Sequence, residues 1–303
     1  MTRRSLPHLG FASRFAIALI ALIFALPIAA QSNSFTQANP TWVKPFPPFR
    51  IAGNLYYVGS QDLAAYLITT PHGNILINSN LVSSPRQIKK AVESLGFKFS
   101  DTKILLISHG HFDHCAGSAE IKRLTGAKYY VMDGDVSVVQ SGGHTDFHYG
   151  SDKSMWFPPA KVDRILKDGD TVSVGGTTLT AHLTAGHTKG TTTWTLDEQE
   201  NGRTLHVVIV GSPNVNPGYK LVNNKTYPRI AADYRHGFAV LKGLPCDVFL
   251  GAHGLYFGLL GKYDRFKNGD KDAFVDPAGY KAYIADREQA FEIELNKQSA
   301  AKH

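Results

Sequence analysis

Lys103-Ile104-Leu105-Leu106-Ile107-Ser108-His109-Gly110-His111-Phe112-Asp113-His114 is the stretch from which the rest of the chain is read. Ile104 to Ile107 form an unbroken apolar run, the pattern of a strand covered on both faces. Straight after it come three imidazoles and a carboxylate within six residues. His109 and His111 stand two apart, so on extended backbone they point the same way. Asp113 and His114 follow where the chain should turn into a helix. Imidazole and carboxylate are good zinc ligands, and this spacing can serve two adjacent ions. As a chance polar loop, the pattern would arise from composition in roughly one chain in a thousand. It would also crowd strongly solvated groups at a buried strand end with no partner to justify their proximity.

A catalytic zinc takes about three protein ligands and keeps one position open, so two ions need about six and this segment offers four. The missing two are expected to be histidines beside glycine at strand ends. His187 in Ala185-Gly186-His187-Thr188 fits, between two predicted strands, as does His253 in Gly251-Ala252-His253-Gly254, after the last one. The other histidines sit in no ligand-like cluster and read as structural. His72 falls in a turn, His144 and His148 in a Gly-rich loop, His182 and His206 in strand patterns and His236 in a helix.

Toward the N-terminus, Arg3, Arg4 and Arg14 carry charge with no acidic residue among them, and residues 15–26 are continuously apolar. Pro27, Ala29 and Ala30 precede polar Gln31, which completes the layout of a secretory signal peptide. Twelve apolar residues are too few to span a bilayer, which needs about 20. The expectation is cleavage near Ala30, a leader over 1–30, a single domain over 31–303, and a soluble protein in the periplasm. The Arg3-Arg4 pair is a weak hint of a twin-arginine route. The formal charge is +7; three arginines leave with the leader, so the mature chain carries +4. Its basic residues are scattered, not clustered as nucleic-acid binding would require. Of the two cysteines, Cys115 reads as a small buried side chain, while Cys246 is taken up with the resemblance below.

Elsewhere, residues 31–50, rich in Pro, Ser and Asn, read as an extended arm. Strands are expected at 54–59, 64–70 and 74–78, with a hairpin turn at His72-Gly73. Ser84-Pro85 should cap a helix reaching about residue 95, with Pro at its first position. A helix at 118–124 and a strand at 127–132 follow. Further strands are read at 171–174, 178–183, 191–196, 205–210 and 248–250, and further helices at 227–241 and 277–297.

The donors in this order, His-x-His-x-Asp-His, then Gly-His-Thr, then a late His after a strand, resemble the metallo-β-lactamase superfamily across nearly the whole mature chain. The resemblance implies an α/β fold, the four-layer αβ/βα sandwich of two mixed sheets flanked by helices. The fold is shared by lactonases, thiolester hydrolases, sulfatases and nucleases, so it says less about substrate. Many members that are not lactamases carry a metal-bridging Asp between the third and last histidines. Residues 210–219 hold neither that Asp nor the Cys of the first two lactamase subclasses. Ser212 at this place is similar to the third subclass of class B β-lactamases. So are Trp194, Leu244-Pro245-Cys246-Asp247, the run from Tyr227 to Arg235, Ser141-Gly142-Gly143 and Phe157-Pro158-Pro159.

The resemblance implies roles. His109, His111 and His187 would hold one zinc, and Asp113, His114 and His253 a second. Ser212 and Asn214 would face the substrate carboxylate. A β-lactam amide would be hydrolysed by a hydroxide shared between the two zinc ions, with Asp113 orienting it. Trp42, Phe49, Trp156 and Phe157 are candidates for the cleft wall. The expected partner is a small-molecule β-lactam, with no nucleic acid and no membrane, and the expected state is a monomer. The competing readings are an exported dizinc lactone or ester hydrolase and a non-catalytic zinc-binding protein. Three residues depart from the subclass: Asn78 stands where Asp is common, Gly110 where Ala is usual, and Cys115 where a non-thiol is usual. Some relatives bond the cysteine matching Cys246 to one near the C-terminus, but Tyr280 stands about there, so no such bridge is expected.

Overall fold

The computed structural model describes residues 1–2 and 37–301. The leader and its cleavage point near Ala30 fall outside the described residues. Seven strands form one sheet in chain order: β1 (Phe49–Ala52), β2 (Leu55–Tyr57), β3 (Tyr66–Ile68), β4 (Asn74–Ile77), β5 (Thr102–Leu106), β6 (Lys128–Met132) and β7 (Arg164–Leu166). Its first four strands are an antiparallel meander; from β4 to β7 the pairing is parallel. The second sheet runs β12-β11-β10-β9-β8, from β8 (Thr171–Val174), β9 (Thr177–Leu183), β10 (Thr192–Glu200), β11 (Arg203–Val210) and β12 (Val248–Gly251). It is antiparallel except for β11 beside β12.

Strand alternation explains the layers. Ile75, Ile77, Ile104 and Leu106 pack with Trp194, Val207 and Ile209 between the sheets. Their neighbours Leu76, Leu105 and Ile107 face outward, onto Ile88 and Val92 of α1 (Ser84–Ser94) and Ile121 of α3 (Ser118–Thr125). On the far side, α5 (Ile230–Gly243) and α7 (Pro277–Ala300) cover the second sheet through Tyr234, Phe238 and Phe291. The result is helix, sheet, sheet, helix, the four-layer sandwich of two mixed sheets flanked by helices.

Several elements differ from the sequence reading. Phe49–Ala52 is an edge strand, not the end of an arm, because Phe49 stacks against Tyr57 and Phe274 in the core. Ser84 lies inside α1; Ser83 is its N-cap and makes no side-chain cap bond. Helix α2 (Phe112–Cys115) carries Asp113 and His114, where a turn into a helix is expected. The helices α4 (Asp133–Ser141) and α6 (Leu259–Lys267), and strand β7, were not anticipated. All three are short, too brief for periodicity to stand out.

Candidate metal centre

The site lies along one end of the sandwich, where the strands of both sheets finish. β5 ends at Leu106, and His109 and His111 follow on the loop leading into α2, which carries Asp113 and His114. His187 lies between β9 and β10, and His253 directly beyond β12. The structure brings all six side chains together. His111 Nδ1 faces His187 Nε2 at 3.1 Å, and the His109 ring centre is 4.9 and 4.6 Å from those of His111 and His187. Beside this trio, His114 Nε2 faces His253 Nε2 at 3.1 Å, and Asp113 Oδ2 stands 3.2 and 3.5 Å from the same two nitrogens.

The donor set suits metal ions. His109, His111 and His187 offer ligand atoms within 4.8 Å of one another, as do His109, Asp113 and His114. The outer nitrogens of two rings are committed elsewhere: His187 Nδ1 donates to the Asn214 carbonyl at 2.8 Å, and His253 Nδ1 to Asp62 Oδ2 at 3.0 Å. Their inner nitrogens are thereby left as lone-pair donors, the arrangement that outer partners impose on metal-bound histidines. Burial, together with the neighbouring imidazoles, pushes His187 down to about 3 and holds His109 well below its ordinary range. Burial alone would raise Asp113, yet His114 and His253 hold its carboxyl well below the usual range. Against the effect of burial, Tyr256, Asp113 and Asp62 raise His253 well above its ordinary range and Asp146 raises His111. These two rings must release a proton to bind metal, whose ligands are neutral imidazoles and an ionised carboxylate.

Two carboxylates that the sequence did not single out support the site. Asp62 holds His253 and also accepts the Leu255 N–H at 3.0 Å. Asp146 accepts the amides of His148 and Tyr149 through Oδ1, while its buried Oδ2 stands 3.6 Å from His111 Nε2 with no hydrogen-bond partner among the described residues. Tyr219 donates to the His187 carbonyl at 2.9 Å. Asp62 and His253 are 191 residues apart, so no local pattern could have linked them.

Asn78 does not reach the ligands. Its Oδ1 accepts the Ser108 N–H at 2.8 Å and its Nδ2 donates to the Ala64 carbonyl at 3.1 Å. A carboxylate there would have no proton for Ala64, so this chain uses the amide as an amide. Gly110 is absent from the left-handed region; its requirement is space, because a Cβ would stand 3.2 Å from the Asp135 carboxyl carbon. Cys115 is buried and donates to the His111 carbonyl at 3.0 Å, and burial pushes its thiol well above the usual range. That is the inert setting expected of a structural cysteine.

A cavity of about 250 Å³ opens over the site, with Trp42, Asp113, Asp146, Phe157, Asn216 and Tyr256 among its walls. Trp42, from the N-terminal arm, lies 5.9 Å from the His253 ring. Of the other aromatic candidates, Phe49 belongs to the core between the sheets and Trp156 lies outside the wall, its ring tilted against that of His144 at 3.9 Å. Ser212 and Asn214 stand one layer behind: Ser212 is buried, with its Oγ 3.1 Å from the Tyr256 hydroxyl. Asn214 Oδ1 accepts from Arg287 at 3.3 Å.

Residues 64–200 match the family description of the metallo-β-lactamase superfamily. Among solved structures, the chain is 58% identical to the native FEZ-1 metallo-β-lactamase of Legionella gormanii, covering 84% of this chain and 98% of that one at a TM-score of 0.84. It is 39% identical to the class B3 di-zinc metallo-β-lactamase LRA-12 from an Alaskan soil metagenome, over 84% and 96% of the two chains at a TM-score of 0.81. Against BJP-1, a subclass B3 enzyme of Bradyrhizobium japonicum, the identity is 36% over 87% and 98%, again at 0.81. A metal-dependent hydrolase of Anaeromyxobacter dehalogenans is 32% identical over 140 residues, 46% of this chain and 44% of its own length. This chain thus spans less than half of that curated relative. The protein belongs to the metallo-β-lactamase superfamily. Within it, the solved structures it resembles are class B3 metallo-β-lactamases.

Proposed function

We propose that this protein is a dizinc β-lactamase of the third class B subclass, exported to the periplasm, where it confers resistance by opening β-lactam rings. The observation that carries the reading is the match to FEZ-1 at 58% identity over almost all of that enzyme. The six converging donors support it. In this reading His109, His111 and His187 hold one zinc, and Asp113, His114 and His253 the other. Zinc in such a setting supplies Lewis acidity and makes water nucleophilic near neutral pH.

The chain's own residues do the rest. Asp113, held ionised and lining the cavity, orients the attacking water and accepts its hydrogen bond. Asp62 fixes the ring of His253 from behind, and Asp146 places a negative charge beside His111 at the cavity wall. Ser212 and Asn214 serve the substrate carboxylate from behind the wall: the Tyr256 hydroxyl faces the cavity, Ser212 holds it at 3.1 Å, and Asn214 Nδ2 donates to Ser212 Oγ at 3.5 Å. Trp42 and Phe157 supply apolar surface and exclude water. The leader of 1–30 is removed near Ala30, and the mature chain works as a monomer on small-molecule β-lactams, away from nucleic acid. No helix among the described residues is long and apolar enough to cross a membrane.

The test is hydrolysis of a carbapenem and a cephalosporin by the purified protein, with a lactone and a thiolester as comparison substrates. β-Lactam turnover should vanish with a chelator and return with zinc, and two zinc ions per chain should be found. Asp113→Asn should lower turnover by about 10²–10⁴-fold, the scale of losing a positioned proton acceptor. Two bound zincs with no β-lactam turnover would overturn the substrate reading and direct attention to the esters.

A further inference from the structure

Asp135, the third residue of α4, is only 1% exposed and belongs to none of the motifs above. Its Oδ2 accepts the Gly110 N–H at 2.7 Å and the Thr188 hydroxyl at 2.7 Å, while its Oδ1 accepts the Gly190 N–H at 2.9 Å. Gly110 lies between His109 and His111, and Thr188 directly follows His187. One carboxylate therefore grips both loops that carry the three-histidine cluster. The loops come from different sheets, one after β5 and the other between β9 and β10.

The surroundings leave little freedom. A Cβ on Gly190 would lie 2.5 Å from the Asp135 backbone nitrogen, and one on Gly134 would lie 2.2 Å from the Lys189 carbonyl oxygen. The start of α4 is thus packed directly on the His187 loop. A Cβ on Gly110 would press on the Asp135 carboxyl group from the other side. All three partners are donors and a carboxylate is purely an acceptor, so no neutral isostere matches it. An amide would turn its NH2 toward at least one N–H and leave that buried donor unpaired.

We propose that Asp135 is a positioning residue that sets the spacing between the His109–His111 loop and His187. It thereby sets the zinc affinity of the three-histidine site and leaves the site of Asp113, His114 and His253 unaffected. The inference rests on the dizinc reading given above. Loss of an outer partner of this kind costs about 10–100-fold in metal affinity.

The experiment isolates each site and measures zinc affinity by competition with a chromophoric chelator. His253→Ala leaves the three-histidine site, and His187→Ala leaves the other. Asp135→Asn should weaken zinc about 10–100-fold in the first background and by less than threefold in the second. Gly110→Ala, which keeps Asp135 but crowds it, should weaken the same site in the same direction by a smaller factor. Equal weakening in both backgrounds marks a merely structural role and overturns the proposal. Unchanged affinity of the three-histidine site in either variant overturns it as well. Failure of the unsubstituted protein to bind two zinc ions would instead overturn the dizinc reading itself.

Discussion

Glu198, on β10, is buried with a single hydrogen bond, from the Asn54 N–H at 3.2 Å to Oε2; Oε1 has no partner among the described residues. Burial, with Glu200 nearby, pushes its carboxyl up to about 7. The folded protein prefers this group protonated. Its contribution to stability is therefore complete below the ordinary carboxyl range and is lost as pH rises through about 7. With metal removed, the melting temperature of the unsubstituted protein relative to Glu198→Gln should fall between pH 5 and pH 8, by about 2–4 °C for each kcal/mol lost. Taking the difference cancels the buried histidines, which titrate alike in both proteins, and a difference that does not change with pH would refute the assignment. Asn78 offers a second test. Asn78→Asp restores the residue common in the subclass but sets a carboxylate against the Ala64 carbonyl. The expected cost is about 1–3 kcal/mol in urea unfolding, and a stabilised variant would contradict the geometry.

Among the elements, β5 and β10 decide where the metal loops stand. β5 was legible because Ile104 and Leu106 face one layer while Leu105 and Ile107 face the other, which makes an unbroken apolar run. β10 lies across the core from it, and Trp194 donates its indole N–H to the Ile107 carbonyl at 3.0 Å, two residues before His109. This bond ties the second sheet to the loop that carries the first ligands. Trp194→Phe should keep most of the packing but leave that carbonyl unpaired, costing about 1–3 kcal/mol. Trp194→Ala should cost about 3–5 kcal/mol. Denaturant midpoints measure both, and equal losses would show that the bond contributes nothing beyond volume. The elements missed from sequence, α4 among them, are short and take their shape from what they pack against.

At the scale of the whole molecule, the site is a seam. His109, His111, Asp113 and His114 belong to the half built on the first sheet, and His187 and His253 to the half built on the second. An ion held by both halves stabilises the folded chain by mass action, by about 2.7 kcal/mol at a free concentration 100-fold above its dissociation constant. The melting temperature should therefore rise with zinc and fall with a chelator, by about 2–4 °C per kcal/mol. A melting temperature that ignores the complete removal of zinc would mean that the donors do not bridge the halves.

What the amino-acid order determined alone was the chemistry: four donors in six residues after a buried strand, two more histidines beside glycine, and the alternation that sorts side chains between layers. These are local, because two-residue spacing on extended backbone fixes direction over a few ångströms. Tertiary structure decided what stands behind and in front of those donors. Asp62 reaches His253 across 191 residues, Asp146 stands beside His111, and Asp135 joins two loops from different sheets. It also set Tyr256 in the cavity wall, with Ser212 behind it. Such pairings depend on sheet register and on the packing of remote segments, and no spacing along the chain records them.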